Sequence, residues 1–534
     1  MSPSPAAPWL LCWQGLLATE QTSRLRKLLP QIAGGMLCAL LLVLPMATRT
    51  GLGLLIAACG LLWLVWGLAT TPVQRPLGAI NGWLLVYLAI ALVATGLSPV
   101  PAAAAKGLLK LLSYLGVYAL MRRLLEGAPQ WWNRLLAALL LVLPMATRTG
   151  LGLLIAACGL LWLVWGLATP AVQRPLGAIN GWLLVYLAIA LVATGLSPVP
   201  AAAAKGLLKL LSYLGVYALM RRLLEGAPQW WNRLLAALLL GQLITAVIGL
   251  RQLYAPIEDL ALWADPNSVA DGTRRIYSTL GNPNLLAGYL VPILPLAVIG
   301  LLRWQGLWPK LLALSSLGCG LAAALLSYSR GGWIGLLLAL GSLGLLLLLR
   351  QSRRLGPLWG KLLPPLVITA VVVALVLAAI KVEPLRIRLT SMLAGRGDSS
   401  NNFRINVWLA ALEMIQARPW IGIGPGNSAF NLIYPLYQQP GYTALSAYSV
   451  PLELAVETGI PGLLAATGLL FSSLRIGLQQ LQRDLVLSLP ALGAAAAVIG
   501  LAGHGVVDTI FFRPEVQISG WFALATLGAA RQLR

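Results

Sequence analysis

The residues able to do chemistry in this chain stand at the edges of long apolar runs. Arg330 lies in Ser327-Tyr-Ser-Arg-Gly-Gly332, Arg404 opens the stretch Arg404–Arg418, and Arg513 precedes Pro514. Arg274 and Arg275 follow Glu258, Asp259, Asp265 and Asp271. A guanidinium keeps its charge and forks onto carboxylate or phosphate oxygens. These five arginines are therefore the candidate anion-binding residues, with snorkelling to lipid headgroups as the other use of an arginine beside an apolar span. His504, the only histidine, ends an apolar run in His504-Gly-Val-Val-Asp508. A histidine with an aspartate one helical turn away can pass a proton, and Tyr448 joins His504 and Asp508 as a catalytic candidate.

Other chemistries lack their residues. The cysteines Cys12, Cys38, Cys59, Cys158 and Cys319 follow neither metal nor disulfide spacing. No metal site and no cofactor are expected. The net charge of +23 is spread singly between apolar runs rather than gathered on one face, so nucleic acid is not an expected partner.

The elements that must position these residues are helices in a membrane. Hydrophobic residues make up 59% of the 534 positions and charged ones 10%, with a mean hydropathy of +0.83. Runs such as 51–70, 178–197 and 333–349 are nearly free of charge, as a hydrocarbon core about 30 Å thick requires of a helix. Backbone groups in lipid must bond within their own segment, so the expected fold is an all-α, polytopic transmembrane bundle. A β-barrel would alternate in polarity instead.

Ala39–Leu141 recurs as Ala138–Leu240, altered only where Thr71-Pro72 become Pro170-Ala171. Copies this similar mark a recent duplication or an error of sequence assembly. Spans are expected at 31–47, 51–70, 79–97, 103–121, 135–147, 150–169, 178–197, 202–220, 234–250, 284–302, 310–327, 333–349, 362–380, 455–474, 486–504 and 516–530. That makes about twelve core spans plus about four from the extra unit. An even number of added spans leaves everything downstream on its own side. The regions expected are a cytoplasmic segment 1–30, helices over 31–250, a loop 251–283, helices over 284–380, a large loop 381–454 and C-terminal helices over 455–534. Arginine and lysine fall in alternate loops, which puts both termini in the cytoplasm of an inner (plasma) membrane protein and the two long loops outside. Arg330, Arg404, Tyr448, His504, Asp508 and Arg513 then converge on one side, and the duplication precedes every candidate site.

Gly281-Asn-Pro-Asn284 punctuates a turn, with Asn284 either capping the next helix or held at the mouth of a cavity. Within Arg404–Arg418, Ile405, Trp408, Leu409, Leu412 and Ile415 repeat at helical spacing and predict an amphipathic helix lying in the interface. Gly422-Ile-Gly-Pro-Gly-Asn427 is either a helix stop or a turn aiming its N–H groups at an anion.

These motifs carry a resemblance. Ser329-Arg330-Gly331, Arg404 with Trp408, the Gly422–Asn427 turn and Gly459-Ile-Pro-Gly462-Leu resemble the O-antigen ligase/polymerase superfamily. Gly281–Asn284, Ala447–Glu453 and His504–Thr509 with Arg513-Pro514 are similar to its cyanobacterial IctB-type branch, labelled as inorganic-carbon (bicarbonate) transporters. The branch resemblance implies bicarbonate transport, or a role associated with it. The superfamily resemblance implies instead an enzyme that moves glycosyl groups from polyprenyl-diphosphate-linked sugars at the external face. In a ligase, arginines neutralise the diphosphate and a histidine helps activate the acceptor. Tyr448-Ser449 stands where that histidine pair falls, and a phenol of ordinary pKa about 10 is a poor base at neutral pH. Membrane lipid is the expected partner under either reading.

Overall fold

Apolar runs of about twenty residues have one low-energy conformation away from water, a helix that bonds its own backbone. In the computed structural model every regular element among the described residues is helical. Those residues are 177–255, 275–352 and 395–530, with isolated positions between 358 and 386, and they belong to one compact unit of the chain. The spans expected before residue 177, and Arg274, lie outside them, as does most of 362–380.

The helices are α1 (Ala178–Gly195), α2 (Pro200–Gly226), α3 (Trp230–Arg251), α4 (Pro283–Arg303), α5 (Leu307–Leu326), α6 (Arg330–Ser352), α7 (Ser399–Ala417), α8 (Asn427–Ile433), α9 (Val450–Gln479), α10 (Leu485–Gly505) and α11 (Pro514–Gly528). All but α7, α8 and α11 are long and apolar enough to cross a membrane. Each expected span from 178–197 onward, 362–380 apart, falls on one of these helices, and 516–530 falls on α11, which is not among those long enough to cross.

α4 forms the centre, packed by α5, α6, α10 and α11. The tightest crossing joins α6 to α10. A Cβ on Gly335 would stand 2.9 Å from the Gly500 carbonyl oxygen, so the two backbones touch through glycine, as membrane helices do when small residues line a seam.

Contacts at helix ends define the two ends of the bundle. At one, arginines bond carbonyls at the ends of neighbouring helices: Arg303 Nη1 donates to Val486 O, in the first turn of α10, at 2.5 Å and Arg350 Nη1 to Leu481 O, just past α9, at 3.3 Å. Arg483 Nη1 donates to Ala530 O at 2.9 Å. The candidate residues occupy the opposite end.

α9 is broken. Gly459 has φ 69° and ψ −178°, and Pro461 follows it. A straight helix of 30 residues is about 45 Å long, whereas α10, with 21, is about 31 Å. Yet Val450 packs against Gly505, and the other ends of the two helices adjoin in sequence. The residues before Gly459 therefore turn aside. The break frees two α9 carbonyls, and the 422–426 turn satisfies them: Ile423 N donates to Val456 O and Gly424 N to Glu457 O, both at 2.9 Å. On the far side of the break, Ile460 N donates to Pro419 O at 2.7 Å. The turn's N–H groups are thus committed to α9, which overturns their use as a cradle for an outside anion.

α7 confirms a helix over 404–417 and packs on the rest of the protein by a face of small residues. Val407, Ala410, Ala411 and Met414 form the buried stripe, while Leu409 and Leu412 are exposed. Small side chains let α7 lie close against Phe430, Tyr434 and Val456, and the bulkier leucines turn outward.

Candidate functional site

The position of Arg404 is set by the start of α7. Asp398 caps that helix, its Oδ1 accepting from Asn401 N at 3.0 Å. The same oxygen takes Arg330 Nη2 at 2.9 Å, an ion pair in which Asp398 is wholly buried. Arg330 thereby ties the first residue of α6 to the first turn of α7. One turn along, Arg404 Nη1 donates to Ser400 Oγ at 3.2 Å, Nη2 stands 4.0 Å from Asp508 Oδ2, and Nε has no hydrogen-bond partner.

Asp508 is the hub. Its Oδ1 accepts from Thr509 N at 2.8 Å and its Oδ2 from Asn284 Nδ2 at 3.1 Å. Asn284 Oδ1 in turn accepts from Arg275 Nη2 at 2.9 Å, and Arg275 Nε donates to Ser327 O at 3.0 Å. Asn282, rather than Asn284, caps α4, accepting from Asn284 N and Leu285 N. Sequence spacing could not separate two asparagines two residues apart; the structure frees Asn284 for the site. Thr509 Oγ1 and Ser446 Oγ are 2.6 Å apart, joining this network to the loop that carries Tyr448. Trp408 Nε1 donates to Tyr448 O at 3.4 Å and Phe403 meets the Tyr448 ring edge-on at 5.5 Å.

Among the described residues, three other than glycine have positive φ: Ser278, Tyr328 and Tyr448, at 56°, 49° and 49°. Each costs about 1–2 kcal/mol relative to relaxed backbone. All three adjoin this cluster: Ser278 follows Arg275, Tyr328 precedes Ser329-Arg330, and Tyr448 is in it. Strain of this kind collects at functional sites.

Burial pushes the Asp508 carboxyl above its ordinary value, against the pull of Arg404, the Thr509 and Asn284 hydrogen bonds and Arg513. The Tyr448 phenol is also raised, by burial first and then by the Asp508 charge. Tyr448 thus stays protonated, with a hydroxyl able to donate, while Asp508 is the better proton acceptor.

The remaining candidates divide. Arg513 precedes α11, is exposed, and its charge acts on both Tyr448 and Asp508. His504 is fully buried, and neither ring nitrogen has a hydrogen-bond partner. Its ring fills space left by glycine, since a Cβ on Gly331 would come within 2.8 Å of His504 Cδ2. His504 is thereby enclosed against the start of α6. Among the described residues no group of three or more His, Cys, Asp or Glu could hold a metal.

Sequence reading missed Glu453 and Glu457, buried one turn apart at the start of α9. The signal was present: carboxylates at i and i+4 inside an apolar helix are functional candidates by default.

Residues 315–467 match the O-antigen ligase family model. The matched stretch runs from α5 past the break in α9, and so holds Arg330, Arg404 and Tyr448 together with Glu453 and Glu457. Asn284, Asp508 and Arg513 lie outside the matched stretch and join the same cluster in the structure. No curated protein matches the chain. With eight helices among the described residues long and apolar enough to span, the chain is a multi-pass membrane protein, and its residues 315–467 are similar to the O-antigen ligase family.

Proposed function

We propose that the protein transfers a glycosyl group from a polyprenyl-diphosphate-linked donor to an acceptor hydroxyl, with the Arg404–Asp508 cluster on the external side. The observation that carries this reading is the open geometry between Arg404 and Asp508. A closed guanidinium–carboxylate pair sits at about 2.7–2.9 Å; at 4.0 Å, Arg404 is held beside the carboxylate without being consumed by it. Arg404 and Arg513 supply positive charge for the diphosphate. Asp508 accepts the proton of the acceptor hydroxyl as its oxygen bonds to the anomeric carbon and the carbon–oxygen bond to the diphosphate breaks. Polyprenyl diphosphate departs with that electron pair. Tyr448 donates a hydrogen bond within the site, and Arg330 acts at a distance by fixing α7.

The orientation rests on the arginines at the opposite end of the bundle, including Arg303, Arg350 and Arg483, which the positive-inside bias puts in the cytoplasm. Of the two functions the sequence suggested, the family match favours glycosyl transfer, and inorganic-carbon transport gains no support from it. The test is a deletion strain scored for both surface glycan and bicarbonate uptake, followed by transfer assays on the purified protein with lipid-linked donor. Loss of surface glycan, restored by wild type and not by Arg404→Ala, is the expected result. Unchanged glycan with lost bicarbonate uptake sinks the reading.

A further inference from the structure

The start of α9 holds two buried carboxylates that glycosyl transfer, as proposed above, does not use. Glu453 is wholly buried and Glu457 is 2% exposed. Each grips a different backbone amide. Glu453 Oε2 accepts from Ala447 N at 2.5 Å, and Glu457 Oε1 accepts from Gly426 N at 2.8 Å. Gly426 and Ala447 are the two feet of one segment: the chain leaves the glycine turn at Gly426, forms α8, and returns through Ala447 to Tyr448 and α9. The feet are also bridged to each other, with Asn427 Nδ2 donating to Leu445 O at 3.1 Å.

One helical turn separates positions i and i+4, so two side chains on one face of α9 meet both feet at once. Burial makes the pairing matter. A carboxylate shut away from water needs hydrogen bonds to its charge, and an amide left facing it without one has no solvent to turn to. Lys209 of α2 lies close enough for its charge to act on Glu457.

We propose that Glu453 and Glu457 are positioning residues that clamp the two feet of the 427–447 segment, and through Ala447 set Tyr448 against Arg404 and Asp508. The link to catalysis rests on the glycosyl-transfer reading; the clamp itself does not. Tyr448 follows Ala447 directly and has positive φ, so its strained backbone is held from the Glu453 side and by the Trp408 bond to its carbonyl. Neither carboxylate needs to touch substrate for this role. Glutamine, whose side-chain oxygen accepts the same amide, should serve nearly as well.

The experiment is hydrogen–deuterium exchange on the full chain in nanodiscs, with Glu453 and Glu457 each changed to Ala and to Gln. Glu453→Ala should raise exchange over 444–449, and Glu457→Ala over 424–428, each on the order of tenfold for one lost hydrogen bond. Both Gln variants should stay near wild type and serve as folded references. In transfer assays Glu453→Ala should lower kcat about tenfold or more with donor KM unchanged, and Glu453→Gln should restore it. Unchanged exchange in both Ala variants overturns the clamp. A Gln variant as inactive as Ala but equally protected overturns the positioning role, because the carboxylate itself would then be taking part. A wild-type protein with no transferase activity removes the function proposed above and leaves the exchange result to decide the clamp.

Discussion

Gly206→Ala should destabilise this protein, although alanine is the better helix former. Gly206 lies inside α2, where the exchange ordinarily gains about 0.8–1 kcal/mol. Here a Cβ would stand 1.8 Å from the Pro425 carbonyl oxygen, 2.5 Å from its carbon and 2.9 Å from Gly426 Cα. All three are backbone atoms, so no side chain can swing aside. A comfortable carbon–oxygen contact is about 3.3 Å, so a gap of about 1.5 Å must open. The 422–426 turn cannot retreat freely, because Ile423 N, Gly424 N and Gly426 N are all bonded to the Val456–Glu457 stretch. Overpacking costs about 1–3 kcal/mol and each strained bond up to about 1 more. After subtracting the helix gain, a net loss of about 1–3 kcal/mol remains. Thermal unfolding in nanodiscs measures it, with Gly181→Ala as reference, since nothing lies within 4 Å of that Cβ. Gly181→Ala should be neutral or stabilising. If Gly206→Ala melts with or above it, α2 does not seat on the turn and the reasoning fails.

Three other outcomes are expected. If Asp508 is the base, kcat/KM should climb as pH rises through its raised pKa, above the ordinary 3.8. That limb should vanish in Asp508→Asn and move to higher pH in Arg404→Ala, which loses a charge favouring the ionised form; movement to lower pH contradicts the pairing. Linkage has a matching sign: the stability owed to Asp508 is present below its unfolded pKa and lost as pH rises through the folded one, so Asp508→Asn should show a flatter stability profile over that window. Arg330→Ala leaves Asp398 buried without its ion-pair partner, a loss of about 3–5 kcal/mol at most for such pairs; Arg330→Ala with Asp398→Asn should recover part of it in a double-mutant cycle, and additive losses would show that the pair is not coupled. Deleting residues 39–137 leaves one copy of the repeat, and activity should persist; its loss would mean that both copies are needed.

The fold was legible because membrane helices follow from one physical constraint applied over about twenty residues at a time. The side of the bundle shared by Arg404, Tyr448 and Asp508 was legible for the same reason, since alternation of spans carries it. Within that side the reading failed where a choice depended on tertiary contact. Nothing local distinguishes Asn282 from Asn284 as the cap. The periodicity that found α7 marks its apolar outer face and is silent on the second stripe, Val407, Ala410, Ala411 and Met414, which packing buries. The enclosure of His504 was not legible either, because the glycines around it, Gly331 and Gly335, are far away in sequence. The duplication does precede every candidate site, yet its second copy supplies Ser197, whose Oγ donates to Ile423 O at 2.5 Å, and Gly206 beneath the turn. The repeated segment is thus part of the site's support.

The break in α9 also constrains how the chain is made. Carbonyls opened inside or beside lipid cost several kcal/mol each until they find donors, so the region around Gly459 has no stable form by itself. Its donors, Ile423 and Gly424, are synthesised before it, and with the proposed orientation they are already across the membrane when α9 arrives. Vectorial synthesis therefore delivers the lock before the part it must hold. A circular permutant that makes α9 ahead of residues 395–449 would present the broken helix to the bilayer alone, and should misinsert even though every native contact remains available to it.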